Sequence, residues 1–191
     1  DVPGVTTALK PISAADYAFV DPDVLARKAA FGTAVHRLIE LDCLGVLDVE
    51  DLDDDLRPYY GAWREFLARS GFQVILSEHK FGSRRYRYAG QLDLFGSLNG
   101  IRSMVDAKCV VVVQDTTGPQ TMAYTNLVRE ARPDLLPAGA PCRRYALQLR
   151  PALGGGETAR WRLVPFTDDA GDWRLFLASL TVTHHLRRKI K

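Results

Sequence analysis

The stretch Met104–Val112, MVDAKCVVV, places an aspartate and a lysine inside a run that is otherwise typical of a buried strand. Charged side chains are rarely fully buried unless they are paired. Because alternate residues of a strand share a face, Asp106 and Lys108 are expected to point the same way. On these letters alone, the simplest interpretation is a salt bridge between the two residues at a strand end.

Apolar periodicity on both sides of this stretch predicts an α/β domain with a central mixed sheet flanked by helices. Helical spacing predicts helices over residues 23–47, 56–70 and 119–131 and from about Asp168 onward. Alternation predicts strands over residues 72–81, 85–98, 101–113, 143–151 and 159–166. The opening residues 1–17 are expected to be irregular because Pro3, Gly4 and Pro11 interrupt them.

The dipeptide Asn99–Gly100 joins two of these strands and is the strongest short hairpin signal in the chain. If it pairs them, Asp93 in GQLDLFG and Asp106 become near neighbours. Two adjacent carboxylates repel each other unless a proton or a cation lies between them, and oxygen ligands suit a divalent metal ion. Lys108 would then lie beside the pair, where it can position a water or stabilise a developing anion.

Four further residues have both a structural and a functional interpretation. Glu78, at the end of VILSE, is either a surface residue or a third carboxylate. His36 is either an ordinary helix histidine or a ligand on the face that it shares with Glu40. Gln120 and Tyr124 lie four apart on the helix after the Asp-x-Lys strand, where a capping Gln and a core Tyr would also fit.

The order of these residues resembles that of the PD-(D/E)xK nuclease superfamily. Within it, the chain is similar to the RecB-like branch of phage-type exonucleases and to the mitochondrial genome-maintenance exonuclease core. That branch is marked by a helix histidine upstream and a Gln-x-x-x-Tyr helix downstream. The matching set here is His36, Glu78, Gly90-x-x-Asp93, Asp106-x-Lys108 and Gln120-x-x-x-Tyr124, and the resemblance spans roughly residues 3–128.

The resemblance implies a restriction-endonuclease-like core with a metal site and a catalytic lysine, Lys108. The implied metal ligands are His36, Asp93, Asp106 and the backbone carbonyl of Ala107, with Glu78 as a further ligand or as a ligand of a second ion. Asp106, Asp93 and Glu78 would also be the catalytic carboxylates, and Gln120 and Tyr124 would shape the site or contact DNA. The implied cofactor is one or two Mg²⁺ or Mn²⁺ ions, and an imidazole ligand suits Mn²⁺ better.

Two features depart from the family pattern. CRISPR-associated and helicase-linked members often have a cysteine cluster that holds iron and sulfur. The three scattered cysteines of this chain exclude a four-thiolate iron–sulfur cluster within it. After Lys108, where the family often has Thr or Ser, Cys109 and a run of valines are predicted to continue the strand.

The segment SRRYRYAG interleaves arginines with tyrosines in a predicted strand. One alternate set, which includes Arg85 and Arg87, would face DNA phosphates, while Tyr86 and Tyr88 would pack or stack on bases. Ordinary strand packing explains the tyrosines equally well. The formal net charge is only +2, so affinity for nucleic acid has to come from local patches such as this one.

Length and composition indicate a single globular domain over residues 1–191, and the resemblance implies that it is a nuclease domain. Its expected parts are an N-terminal helical part over about 1–70, a catalytic sheet and helix over about 71–130, and closing strands and a helix over about 143–191. No apolar run approaches the ~20 residues that span a bilayer, so no membrane association is expected. The scattered cysteines and the lack of signal-peptide features predict a cytoplasmic protein, and the resemblance to phage-type exonucleases implies a bacterial or phage-infected cell.

The leading hypothesis is a metal-dependent DNA exonuclease that acts on single strands or DNA ends in recombination, repair or phage DNA processing. A strand-annealing recombinase is a candidate partner. The alternatives are a structure-specific or nicking endonuclease on the same core, a non-catalytic DNA-binding or scaffold module, and a metal-dependent enzyme for another substrate. The pair Asp93 and Asp106 argues against a pure binder, because carboxylates repel phosphate.

Overall fold

A five-stranded mixed sheet forms the centre of the computed structural model, which describes residues 2–13, 21–150 and 160–189. The strands are β1 (Gln73–Ser83), β2 (Tyr88–Leu98), β3 (Ile101–Lys108), β4 (Arg143–Arg150) and β5 (Arg160–Phe166), and they lie in the sheet in chain order. Only β3 and β4 pair in parallel, while the other neighbours are antiparallel. The α/β architecture predicted from the sequence is therefore confirmed, although the predicted strand ends at residues 151 and 159 lie outside the described residues.

In the part of the chain that the structure describes, five helices cover the two faces of this sheet: α1 (Val5–Ser13), α2 (Pro22–Cys43), α3 (Arg57–Ser70), α4 (Thr117–Ala131) and α5 (Asp169–Lys189). Helices α1, α4 and α5 pack with Leu92 and Met104 in one core, and α2 and α3 pack with Val105 and Leu147 in the other. Met104 and Val105 are consecutive residues that pack into different cores, which is the alternation that the strand pattern predicts. Among the described residues, no helix has the length and apolar character that a bilayer crossing would need.

The hairpin predicted at Asn99–Gly100 is confirmed, and it sets the register of β2 against β3. Both residues have positive φ, 52° and 79°, as a two-residue hairpin turn requires. Leu98 pairs with Ile101 across the turn, and the last ladder pair is Leu94 with Val105. The next position on each strand is an aspartate, so the turn brings Asp93 and Asp106 to the same end of the ladder.

The expectation that the opening segment is irregular is wrong for the part that the structure describes. Residues Val5–Ser13 form α1 with Pro11 inside it, whereas residues 14–17 of the predicted segment lie outside the described residues. Ala8 is buried, and its carbonyl accepts hydrogen bonds from Ser179 Oγ (2.6 Å) and Thr183 Oγ (3.3 Å) of α5. Docking on α5 thus outweighs the hydrogen bond that Pro11 removes from the helix.

The predicted strand over residues 101–113 is too long, because β3 ends at Lys108. The carbonyls of Val110 and Val111 each accept a hydrogen bond of 2.7 Å from Gln148 Nε2, and Val111 also accepts one of 2.6 Å from Arg150 Nη2. Two side chains of β4 therefore bond the backbone carbonyls that a neighbouring strand would otherwise bond. We call Val110–Val112 the valine segment; Val111 and Val112 are 77% and 75% exposed.

The predicted strand over residues 85–98 begins too early, because residues 84–87 form a turn and β2 begins at Tyr88. The carboxylate of Glu130 in α4 fixes this turn by accepting hydrogen bonds from Ser83 Oγ (2.6 Å) and the Arg84 N–H (3.0 Å). Arg87 has a positive φ of 58°, which does not occur in a regular strand. The alternation that placed Arg85 and Arg87 on one strand face is therefore wrong.

Gly90 of β2 lies where two buried side chains approach the backbone closely. A Cβ at this position would lie 2.7 Å from Tyr124 Cε1 and 2.8 Å from Val5 Cγ2. We expect Gly90→Ala to lower the free energy of unfolding by about 1–3 kcal/mol, because overpacking forces buried neighbours to move. Urea unfolding followed by circular dichroism measures this change.

The matched control is Gly61→Ala, at an exposed position of α3, where an added Cβ meets no atom within 4 Å. That substitution is expected to raise the free energy of unfolding by about 0.5–1 kcal/mol, because glycine is a poor helix residue. Equal effects of the two substitutions would contradict the close approach at Gly90.

Candidate active site

An imidazole from α2 meets two carboxylates at the end of the β2–β3 ladder. His36 Nδ1 lies 3.2 Å from Glu78 Oε1 of β1 and 3.5 Å from Asp93 Oδ1 of β2. One ligand atom from each of His36, Glu78 and Asp93 lies within 4.8 Å of the others. The structure therefore brings together three residues that the sequence proposed as metal ligands.

The backbone N–H and carbonyl of Ala107 both bond side chains of this cluster. The N–H donates a hydrogen bond of 2.8 Å to Asp93 Oδ2, and the carbonyl accepts one of 3.1 Å from His36 Nε2. Both partners are side chains. They therefore supply hydrogen bonds to the backbone of β3 beyond the last residue pair that β3 forms with β2. The Ala107 carbonyl thus lies beside the imidazole. A backbone ligand that shares a metal ion with His36 would have to lie there.

Asp106 is the most deeply buried charged residue of the site, at 1% exposure. Lys108 Nζ lies 2.6 Å from Asp106 Oδ2, so the ion pair considered from the sequence is present. The Lys108 ammonium thus neutralises Oδ2, whereas the buried Oδ1 accepts no hydrogen bond from any residue that the structure describes. A buried carboxylate oxygen without such a partner is costly. A cation bound at Asp106 Oδ1 would satisfy it, and this is the observation that fits a metal ion to the site.

Glu78 reaches the cluster through an irregularity in β1. Its φ is +48°, and the β1–β2 ladder skips it, pairing Ser77 with Leu94 and His79 with Leu92. Gln91 Nε2 donates a hydrogen bond of 2.6 Å to Glu78 Oε2 and so fixes the carboxylate from the neighbouring strand. Positive φ at a non-glycine residue is uncommon and concentrates at functional sites. Sequence reasoning gave Gln91 no role, although its position two residues before Asp93 placed it on the same strand face.

The protonation of the cluster reflects its crowded charges. Burial lowers the pKa of His36, but the hydrogen bond with Glu78 and the negative charges of Asp93 and Asp106 outweigh it and raise the pKa to about 9. Burial and the charge of Asp106 raise the pKa of Asp93 to about 7. Near neutral pH, His36 therefore holds a proton on each nitrogen and donates to Glu78 and Ala107. Protons occupy the positions that a metal ion would contact.

Gln120 and Tyr124 lie together on α4, next to the carboxylates. Gln120 Nε2 donates a hydrogen bond of 3.4 Å to the Tyr124 hydroxyl, whose ring is buried. Burial and the charges of Asp106 and Asp93 raise the pKa of Tyr124 above its usual range, so its hydroxyl stays protonated. Tyr124 therefore forms an uncharged wall of the site, while the side chain of Gln120 is half-buried.

Arg85 and Arg87, expected to contact DNA, are not brought to this cluster. Their turn follows Ser83, which is five residues beyond Glu78 on β1, or about 16 Å along a strand at ~3.3 Å per residue. The Arg85 guanidinium lies 5.1 Å from the centre of the Tyr86 ring. Tyr88 is buried and its hydroxyl donates to the Ala123 carbonyl, so the packing interpretation of this tyrosine is confirmed.

A cavity of about 810 Å³ opens between α2 and the valine segment, and we call it the α2 cleft. His36, Ala107 and Lys108 line its inner end, so the cleft leads from the surface to the cluster. Cys109 also lines it, but burial raises the pKa of this thiol to about 12. A neutral thiol is a weak nucleophile, so the chemistry of the site rests on the carboxylates, the imidazole and the lysine.

Carboxylate, carbonyl and imidazole groups together suit Mg²⁺ and especially Mn²⁺. We expect Asp93→Asn to abolish Mn²⁺ binding while leaving the fold intact. The amide oxygen of Asn can still accept the Ala107 N–H, but the substitution removes a charged ligand. Isothermal titration with Mn²⁺ measures the affinity, and thermal unfolding in EDTA checks the fold. The matched control is Asp55→Asn, an exposed residue that should bind Mn²⁺ like the wild type, and Mn²⁺ affinity retained in Asp93→Asn would contradict this assignment.

Mn²⁺ affinity is expected to rise with pH, because a metal ion displaces the protons of the cluster. His36, with a pKa of about 9, holds its extra proton throughout the interval from pH 6 to pH 8. Asp93, with a pKa of about 7, holds a second proton at the acid end. Release of the His36 proton changes the affinity about tenfold per pH unit, and release of the Asp93 proton adds about a further tenfold over the interval, so binding should be roughly a thousandfold weaker at pH 6 than at pH 8. Titrations in buffers of different ionisation enthalpy count the released protons, and a pH-independent affinity would rule out this competition.

No protein-family model matches the chain, and no curated protein has a matching sequence. Among solved structures, a protein of Eubacterium rectale with a provisional exonuclease assignment matches 99% of this chain and 79% of its own, at a TM-score of 0.52 and 12% identity. An alkaline exonuclease from Laribacter hongkongensis matches 83% of this chain and 84% of its own, at a TM-score of 0.33 and 14% identity. At 12% identity the first likeness shows the fold alone: the chain shares the α/β fold of a protein assigned as an exonuclease.

Proposed function

We propose that this chain is a metal-dependent DNA exonuclease of the RecB-like branch of the PD-(D/E)xK superfamily. The observation that carries the proposal is the arrangement of His36, Glu78, Asp93 and Asp106 around the backbone of Ala107, with Lys108 Nζ 2.6 Å from Asp106. Motifs spread over 73 positions of sequence, from 36 to 108, meet in one cluster. The shared fold with an assigned exonuclease supports the same conclusion.

The residues of the cluster fit the needs of phosphodiester hydrolysis. His36, Asp93, Asp106 and the Ala107 carbonyl would hold one Mg²⁺ or Mn²⁺ ion, with Glu78 as a further ligand. When bound, such an ion supplies charge neutralisation at the phosphate and a hydroxide near neutral pH. The two aspartates need this positive charge, because otherwise the pKa of Asp93 stays raised and the carboxylate stays partly protonated near neutral pH.

Lys108 is the group of this chain that can act directly on the reacting phosphate. Its ammonium pairs with Asp106 at the inner end of the α2 cleft, so it faces both the cluster and the incoming substrate. A fixed ammonium at this position would orient the attacking water and stabilise the charge that develops on the phosphate. Asp106 holds the Lys108 ammonium in place for this role.

Other interpretations of the same core differ in which bonds are cut, or in whether any bond is cut. A structure-specific or nicking endonuclease would use the same cluster on internal bonds. A non-catalytic binding or scaffold module is disfavoured by the buried Asp106 Oδ1, which accepts no hydrogen bond from the described residues. Roles in recombination, repair or phage DNA processing, a strand-annealing recombinase partner and a cytoplasmic location remain predictions.

End-labelled linear DNA and closed circular DNA, single- and double-stranded, incubated with Mn²⁺ test the function. We expect linear DNA to be degraded and circular DNA to survive, whereas cutting of circles would indicate the endonuclease. Lys108→Ala and Asp106→Asn should each lower the rate by about a hundredfold or more, because each removes a charge that acts on the reacting groups.

Lys10→Ala, which removes an exposed lysine of α1, is the matched control and should cut like the wild type. Circular dichroism confirms that the inactive variants are folded. DNA binding without any degradation would favour the scaffold module. Undiminished activity in both Lys108→Ala and Asp106→Asn would place the chemistry elsewhere and contradict the proposal.

A further inference from the structure

Helix α5 carries apolar side chains on its outer face as well as on its inner face. On the inner face, Phe176 and Leu180 are buried in the core that α5 shares with α1 and α4. On the outer face, Leu175, Val182 and Leu186 are 44%, 46% and 50% exposed. At about 100° per residue, these three lie within about 40° of one another around the helix axis. They form a line about 16 Å long at ~1.5 Å per residue, and we call it the α5 stripe.

The α5 stripe differs from an ordinary solvated helix face. Isolated apolar residues are normal on a protein surface, whereas an aligned row of them marks a surface that contacts another molecule. Ala178 is exposed between Leu175 and Val182, and its small side chain would let a second helix approach closely. The other exposed positions of α5 that flank the stripe are polar: Arg174, Thr181, His185 and Arg188.

Charge is distributed unevenly along α5. Its first turn contains Asp169 and Asp172, and its last turn contains Arg187, Arg188 and Lys189. Asp169 and Asp172 both pair with the buried Arg144, and their side chains keep 53% and 18% exposure. One guanidinium neutralises one of the two carboxylates, so this end of the helix stays negative. A second α5 that runs antiparallel would place the acidic end beside the basic end, whereas a parallel one would place like charges together.

The apolar and the charged contacts agree on one register of such a pair. If Leu175 of one copy lies opposite Leu186 of the other, then Asp172 lies opposite Lys189, because each charged residue lies three positions beyond its leucine. Two-fold symmetry makes each contact twice. The two Val182 side chains then lie about one helical turn apart, close to the two-fold axis. The outer face of α5 is therefore complementary to itself.

We propose that the α5 stripe is a dimerisation surface, on which a second copy of this chain packs its own α5 in antiparallel orientation. One helix face buries less than the ~800 Å² per partner of a standard interface, so the dissociation constant is expected in the micromolar range. The described residues that line the α2 cleft include none of α5, so both candidate active sites stay open in the dimer. The dimer does not depend on the proposed nuclease activity.

Sedimentation velocity of the nucleic-acid-free protein in EDTA measures its mass as a function of concentration. Between about 1 and 200 µM, the mass should rise from that of one chain toward that of two. Val182→Lys should raise the dissociation constant at least about a hundredfold, because two valines lose their contact and two ammonium groups meet near the axis. Val46→Lys, which changes an exposed valine beyond the end of α2, is the matched control and should dimerise like the wild type.

A wild type that stays monomeric at about 200 µM would overturn the dimer. Dimerisation of Val182→Lys at the wild-type affinity, or assembly of the wild type beyond two chains, would overturn the assignment to the α5 stripe. Circular dichroism checks that Val182→Lys is folded, and if that variant does not fold, the cross-linking of the next experiment decides instead.

Disulfide cross-linking measures the orientation of the two helices. Leu175→Cys and Leu186→Cys are purified separately, mixed and oxidised. The antiparallel register brings these two positions within the ~7 Å between Cα atoms that a disulfide allows, whereas like positions lie about 16 Å apart along the helices. The mixture should therefore give at least about tenfold more cross-linked dimer than either variant alone.

The wild type is the control for this cross-linking, since its own cysteines at positions 43, 109 and 142 lie outside α5. Cross-linking of each variant with itself as efficiently as in the mixture would indicate parallel helices and overturn the proposed orientation. Yields no higher than that of the wild type in all three samples would overturn the interface.

The charged contact is measured with Lys189→Glu. This substitution should raise the dissociation constant about fivefold or more, because it places like charges opposite each other twice in a symmetric dimer. Lys80→Glu, which changes an exposed lysine of β1, is the matched control and should leave the dissociation constant unchanged. An unchanged dissociation constant in Lys189→Glu would overturn the register that places Lys189 opposite Asp172.

Discussion

The hydrogen bond from the Ala107 N–H to Asp93 Oδ2 is the interaction on which the candidate site depends. It joins β2 to β3 beyond their last ladder pair, at the position where the sheet would otherwise leave a buried donor unsatisfied. His36 bonds the carbonyl of the same residue, so imidazole and carboxylate are both fixed to the backbone of one buried strand residue. The sheet and the site therefore share their hydrogen bonds. Replacing Asp93 by Ala would disturb both, and Asn is the substitution that separates chemistry from folding.

The acidic part of the site could be predicted because its determinants are local. Asn99–Gly100 requires positive φ at two successive positions, which fixes a two-residue turn and with it the register of β2 against β3. Strand alternation then places Asp93 and Asp106 at the same end, whatever the rest of the chain does. The participation of His36 depended instead on the family resemblance, because no local pattern shows where α2 lies against the sheet.

The errors of the sequence analysis share a different physical cause. In each case a side chain distant in sequence bonds a backbone group and overrides the local preference. Glu130 bonds the turn after β1, Gln148 bonds the valine segment, and Ser179 bonds the Ala8 carbonyl of α1. Gln91 was missed for a related reason, since its bond to Glu78 depends on an irregular residue in β1. Periodicity describes which faces are apolar but carries no information about such bonds.

The separation of the ligands along the chain has a consequence for how the site assembles and opens. Glu78, Asp93 and Asp106 belong to a three-strand meander, so their approach closes only short loops at low entropic cost. His36 reaches Glu78 across 42 residues and belongs to α2, which packs on the sheet from outside. The imidazole is thus the group expected to arrive last in folding and to leave first when α2 opens. Entry and exit of an ion would then be coupled to a movement of a helix, while the carboxylates stay in the sheet.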